Sequence, residues 1–292
     1  MLGSLIPIAV AVLAAGLGTA EAAGCNGNPA LCSRKYSNVT QVGAHDSAFV
    51  GELPTENQLV SATDVLNMGA RFLQAQTHSW EGGIEMCHTS CLELDAGSLH
   101  DYLAPIKTWM DANPNEVVTL LLTNQDAISV SDFAAVFQAV GLDKYAYSPS
   151  STLTLDQWPT LQSMINAGTR LVVFMDYHAD TSQVSYILDE FTYFFETPYD
   201  TTDASFPECT LDRPANASPD GRMYIVNHFL DYSILGILIP DELAASTTNS
   251  VSSILAQADL CLGKWGRVPN FILLDYINKG DPITAQNDLN NL

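Results

Sequence analysis

Along the chain, short continuous apolar runs alternate with segments whose apolar residues recur every three or four positions. Four runs come first: NVTQVGAH ending at His45, ARFLQAQTH over 70–78, GIEMCH ending at His88, and EVVTLLLTN over 116–124. RLVVFMDY over 170–177, FTYFFET over 191–197, RMYIVNH over 222–228 and NFILLDY over 270–276 complete a set of eight. Mostly continuous apolar runs of this length predict strands buried on both faces. Helical spacing marks TENQLVSATDVLNMG, with Thr55 as N-cap and Gly69 as stop. It recurs in SLHDYLAPIKTWMDANP, where the apolar residues Leu99, Tyr102, Leu103, Ile106, Trp109 and Met110 keep helical spacing ahead of Pro114. VSDFAAVFQAVG and SVSSILAQADLCLG are two further helical segments. Residues 198–221, rich in Asp, Pro, Ala and Ser, predict a long loop over one face.

Eight strands interleaved with helices predict an α/β fold, a distorted (β/α)8 TIM-like barrel. It would form a single domain over residues 23–292. The gap between the second and third runs is too short for a helix, so the distortion is expected there. A doubly wound open sheet is the alternative, but no Gly-rich phosphate turn follows the first run. Residues 1–22 read as a secretory signal peptide, with an apolar run from Leu5 to Leu17 and a small-residue site at Ala20-Glu21-Ala22. The expected location is therefore extracellular. In an exported chain six cysteines suggest three disulfides. Proximity favours Cys25–Cys32 and Cys87–Cys91, leaving Cys209–Cys261. Asn38 and Asn216 head glycosylation sequons.

Charge narrows the partners. Eleven Lys and Arg face 33 Asp and Glu, for a formal net charge of −22. Nucleic acid is excluded as a partner, because phosphate binding runs on Lys and Arg. An anionic membrane is disfavoured for the same reason, so at most transient membrane contact is expected. The charge reads as a solubility feature of a monomer.

The polar residues have their own pattern. His45, Gln76, His88, Asn124, Asp176, His228 and Asp275 fall at or near the C-terminal ends of the expected strands, and in a parallel barrel those ends form the active-site rim. Counting His78, four histidines stand there. Two imidazoles with two carboxylates suit general acid–base chemistry. The sequence has no Gly-x-Ser-x-Gly elbow and no His-Glu-x-x-His helix. Phosphodiester cleavage fits best, with an alcohol attacking phosphorus while a second group protonates the leaving oxygen. Asp176 and Asn227 are candidates for contacts with substrate hydroxyls, against rim hydrogen bonding as the bland alternative.

VGAHDSAF, CHTSC and SLHDYLAPIKTWMDANPNEVVTLLLTN together resemble the phosphatidylinositol-specific phospholipase C X-domain superfamily of PLC-like phosphodiesterases, above all its secreted fungal branch. The likeness is good from about Tyr36 to Asn124 and rests on strand order beyond. It implies His45 as general base and His88 as general acid. Asp46 would orient His88, and Asp275 would orient His45. The substrate implied is a lipid or small-molecule phosphodiester, of phosphoinositide or glycerophosphodiester type.

The chain also departs from that family. Bacterial members carry an arginine on the second strand, and eukaryotic members carry carboxylates that hold calcium. Here Gln74 and Gln76 occupy that strand, and Thr123 stands where a calcium-binding glutamate is expected. No metal or other cofactor is expected, since calcium wants several oxygen ligands. Stabilisation of the pentacoordinate phosphorus would have to come from Gln76, Asn124, a protonated His78, or a Lys or Arg on a loop. Two rival readings follow. One is a catalytically silent, ligand-binding barrel. The other is a metal-dependent glycerophosphodiesterase or sphingomyelinase D-like enzyme using magnesium.

Overall fold

A computed structural model describes residues 24–292 of the chain. The expected signal peptide lies outside the described residues. Eight parallel strands curl into one sheet. They are β1 (Gln41–Ala44), β2 (Phe72–Ala75), β3 (Val118–Leu122), β4 (Leu171–Met175), β5 (Ile187–Asp189), β6 (Phe194–Glu196), β7 (Met223–Asn227) and β8 (Phe271–Leu274). Their order is β5-β4-β3-β2-β1-β8-β7-β6, all neighbours parallel. The barrel is thus sewn everywhere except between β5 and β6. That open edge of β6 is covered by a loop. Glu196 N donates to Arg213 O at 2.8 Å, and Asp212 N donates to Glu196 O at 2.9 Å.

Two strands differ from the sequence pattern. GIEMCH does not enter the barrel. It forms Gly83–Cys87, the centre of an antiparallel three-stranded sheet with His78–Trp80 and Asp95–Ser98. Only Glu81 and Gly82 separate it from the strand before, and a connection that short can only make a hairpin. The missing barrel strand is β5, whose three residues are too few to register as an apolar run. The first helix also starts later than the pattern suggests. It spans Ala62–Met68 with Ser61, not Thr55, as N-cap, and Ser61 and Asp64 form a capping box.

Two core layers hold the barrel. Between strands and helices, the helix Leu99–Ala112 buries Leu99, Leu103, Ile106, Trp109 and Met110. Trp109 Nε1 donates to Asn67 Oδ1 at 2.7 Å and so ties this helix to the one before. Each buried large side chain of this kind is worth about 1.5–3 kcal/mol. Inside the barrel, Phe72, Phe174, Phe194 and Phe271 meet below the site. Tyr36 plugs the bottom, stacked on Trp158 at 4.7 Å and bonded through its hydroxyl to Thr119 at 2.7 Å. Gly43 is required by this filling, since a Cβ there would lie 2.6 Å from Phe72 Cβ. Disulfides join Cys25–Cys32, Cys87–Cys91 and Cys209–Cys261, the pairs suggested by proximity. No described helix is long and apolar enough to cross a membrane.

Candidate active site

Strand period puts the site together. Alternate residues of each strand point inward, so one further step beyond the aromatic layer brings polar side chains to the same level. A cavity of about 160 Å³ opens there, lined among others by His45, Gln74, Gln76, Thr123, Asp176 and Asn227. Leu121 and Leu273 form its apolar floor.

His45 follows β1 and its ring is fixed on both sides. Its Nδ1 lies 2.9 Å from Asp275 Oδ1, at the end of β8, the strand paired with β1. Phe229 stacks flat on it, with ring centroids 3.9 Å apart and planes 4° off parallel. Asn57 Nδ2 donates to the same Asp275 oxygen at 3.2 Å. Asp46 is fully buried and sits between the two imidazoles. Its Oδ2 is 3.5 Å from His45 Nε2 and 3.4 Å from His88 Nε2. Asp46 also has φ +46°, a left-handed conformation that aspartate tolerates better than most residues. Burial alone would lower the His45 pKa, but Asp46 and Asp275 outweigh it and raise it to about 9. Burial would raise Asp46, but His45 and His88 outweigh it and hold it below the usual carboxylate value.

The two glutamines of β2 are already engaged. Gln74 Oε1 accepts from Asp46 N at 2.7 Å. Gln76 Nε2 donates to Asp46 Oδ2 at 2.8 Å, and its Oε1 accepts from Thr89 N at 3.0 Å. Gln76 therefore ties Asp46 to the Cys87–Cys91 loop that carries His88. Each glutamine oxygen accepts a backbone N–H, and among the described residues no group of three or more His, Cys, Asp or Glu is placed to hold a metal ion.

Other expected residues stand elsewhere. His78 pairs with Asp126 at 3.1 Å, and it is not among the residues lining the cavity. Asn124 is fully buried, and its amide bonds Ile128 N and O at 2.9 Å each, holding its own loop. His228 is buried against Phe206 and bonds Gln257 and the Thr248 carbonyl. Burial lowers its pKa below the ordinary imidazole value. Asp176 does face the cavity. Its Oδ1 accepts from Asn124 N at 2.8 Å and Tyr177 N at 2.7 Å, yet burial raises its pKa to about 6. Asn227 Nδ2 donates to Glu196 Oε2 at 3.0 Å and to Thr197 O at 2.8 Å.

The sequence pattern missed four groups here. Arg213, on the loop that covers the β6 edge, bonds Glu196 Oε2 at 2.6 and 3.2 Å and lies 4.8 Å over the Tyr199 ring. Among the described residues it is the one lysine or arginine that lines the cavity. Arg71, Arg170, Arg222 and Arg267 precede strands and so sit at the opposite end of the barrel. Glu190 is buried beside Glu196, and burial and that neighbour raise its pKa well above the ordinary value. Asp231, just past β7, is raised to about 7 by burial and then by Asp275. The visible signal was a charged residue closing an apolar run, Glu196 at the end of FTYFFET.

The sequence profile described as PI-PLC X 1 matches residues 31–290. The chain belongs to the PI-PLC X family. A PI-PLC X domain-containing protein 1 of Arthroderma benhamiae is 49% identical over the whole of this chain and 96% of its own. An uncharacterized secreted protein of the same organism is 45% identical over 88% of this chain and 61% of its own. Among solved structures, phosphatidylinositol-specific phospholipase C from Listeria monocytogenes matches with a TM-score of 0.59 and 16% identity, covering 89% of this chain and 95% of that one. At that identity the likeness is one of fold. Fold and family together are those of PLC-like phosphodiesterases.

Proposed function

We propose that this PI-PLC X protein is a metal-independent phosphodiesterase acting by His–His acid–base catalysis outside the cell. One observation carries the reading: Asp46 Oδ2 stands 3.5 Å from His45 and 3.4 Å from His88, while Asp275 holds the far side of His45. His45 Nε2 takes the proton of a hydroxyl next to the phosphate as the new P–O bond forms. His88 gives a proton to the leaving oxygen as the old P–O bond breaks. His45 must first shed its own proton, so the base form grows tenfold per pH step up to about 9. Asp176, Asn227, Glu196 and Arg213 offer paired donors and acceptors, which suits a substrate head rich in hydroxyls.

A second reading, a silent ligand-binding barrel, is favoured by one feature: the cavity's one arginine is already neutralised by Glu196. Turnover separates the two. Release of water-soluble phosphate ester from phosphatidylinositol and glycerophosphodiesters should proceed in chelator between pH 5 and 9. It should vanish in His45→Ala and His88→Ala proteins. Turnover only with added calcium or magnesium would restore the metal-dependent reading, and none on any substrate would leave the silent barrel.

A further inference from the structure

Acid–base chemistry at the two histidines leaves Glu190 unused. This residue directly follows β5, is fully buried, and lines the cavity. No N–H or O–H donor of the fold reaches either of its carboxyl oxygens. The space beneath it is walled largely by Phe72, Phe174, Phe194 and Phe271. Beside it stands Glu196, and the only link open between two carboxyl groups is a shared proton. A buried polar group without a partner is costly, so one that faces a cavity marks where a ligand group would complete it.

The surrounding charges say what that group is. Glu196 and Asp176 are the acidic neighbours of Glu190, and Arg213 is the cation near them. Arg213 is committed to Glu196 Oε2 at 2.6 and 3.2 Å, and Asn227 Nδ2 donates to the same oxygen. Asp176 Oδ1 takes two backbone N–H groups. Three carboxyl groups thus face one guanidinium, and Glu190 is the one left without a donor. Burial first and Glu196 second raise its pKa well above the ordinary value, so with no cation beside it Glu190 holds a proton. An ammonium group brings both the missing positive charge and up to three N–H donors. A hydroxyl brings one donor and no charge. A metal ion fits less well, because among the described residues no group of three or more His, Cys, Asp or Glu is placed to hold one. Position agrees with this. Between β1 and β5 lie β2, β3 and β4 on one side and β6, β7 and β8 on the other, so Glu190 stands across the barrel from His45. A head group whose phosphate lies at the histidines would meet Glu190 with its far end.

We propose that the cavity wall at Glu190 is a subsite for a primary ammonium group on the ligand's head, so that the preferred substrates are phosphodiesters of amino-polyols. The word substrate rests on the phosphodiesterase reading; the subsite does not. On binding, the ammonium keeps its protons. The proton shared by Glu190 and Glu196 passes to solvent, and an ammonium–carboxylate pair remains.

The test is isothermal titration calorimetry of the full chain with scyllo-inosamine and scyllo-inositol at pH 6.5, in two buffers of different ionisation enthalpy. The hydroxyls of scyllo-inositol are equivalent, so exchanging one for an ammonium changes the charge without presupposing an orientation. Neither probe carries phosphate, so turnover plays no part. The parent should bind the amine about tenfold more tightly than the polyol, releasing about one proton per amine and none per polyol. Glu190→Gln should lose about tenfold in affinity for the amine and release no proton, while binding the polyol like the parent. The proposal is overturned by equal affinity for the two probes, by amine binding without proton release, or by a variant that keeps the amine preference. If Glu190→Gln does not fold, the parent's preference and proton release decide alone. Amine binding with proton release in a protein that turns over no phosphodiester would keep the subsite and overturn the phosphodiesterase reading. Turnover without amine preference would do the reverse.

Discussion

Replacing Asp275 with asparagine would isolate the field that governs His45. The amide keeps the size of the side chain and an oxygen for His45 Nδ1, now 2.9 Å from Asp275 Oδ1. What it removes is one of two carboxylates that together lift His45 from 6.5 to about 9 against burial. At contact distance, and at the effective dielectric of a protein site, one such charge is worth up to about 4 kcal/mol. With Asp46 still in place, the His45 pKa should fall to about 7. The same shift is a stability statement. A group raised from 6.5 to about 9 contributes about 3 kcal/mol, fully present below pH 6.5 and lost as pH rises through 9. The variant should be less stable than the parent at pH 6, and that deficit should disappear as pH rises through 9, where His45 is neutral and the buried Asp275 carboxylate no longer has a cation beside it. The assay is a histidine NMR titration from pH 5 to 10, paired with urea unfolding across that range. The acid limb of kcat/KM should move toward lower pH by the same amount. A His45 resonance that titrates near 9 in both proteins would refute the reasoning.

Gln76→Leu should lower kcat about tenfold with a small change in KM, because Asp46 and the Thr89 amide lose their common link; equal kcat in parent and variant would remove Gln76 from a positioning role. Arg213→Met leaves Glu196 buried without its cation and should cost about 3 kcal/mol by urea unfolding. Adding Glu196→Gln should recover part of that loss, and no recovery would show that Arg213 acts through something other than this pair. A Cys87→Ala/Cys91→Ala protein should keep its fold by far-UV circular dichroism yet lose activity, since the loop presenting His88 is no longer closed; full activity would rule out that role for the bond.

The barrel and its rim were legible because they rest on local rules. Apolar runs mark strands, and the residue just past a run marks the mouth of the barrel, which is how His45, Asp176 and Asp275 could be found. The resemblance then gave Asp46 and His88 their places beside them. What was not legible depends on contacts distant in sequence. A three-residue strand such as β5 leaves no periodic trace. His88 sits at the end of a run that reads as a barrel strand, and only the two-residue turn at Glu81 and Gly82 shows that it belongs to a hairpin. Gln76 looks like a free donor until its two partners, 30 and 13 residues away, are in place. Arg213 lies in a loop with no pattern, and its position is set by main-chain bonds to the uncovered edge of β6.

The seam between β5 and β6 has a consequence for how such a chain can change over evolutionary time. Because a surface loop fills it, the cavity's one guanidinium is carried by a part that can be lengthened, shortened or exchanged while the eight strands stay intact. The loop has its own anchor to the body of the protein in Cys209–Cys261. The paired histidines and the cavity's arginine therefore stand on separate pieces of the fold. Selection can retune the second without disturbing the first, so relatives with the same histidines need not share a ligand.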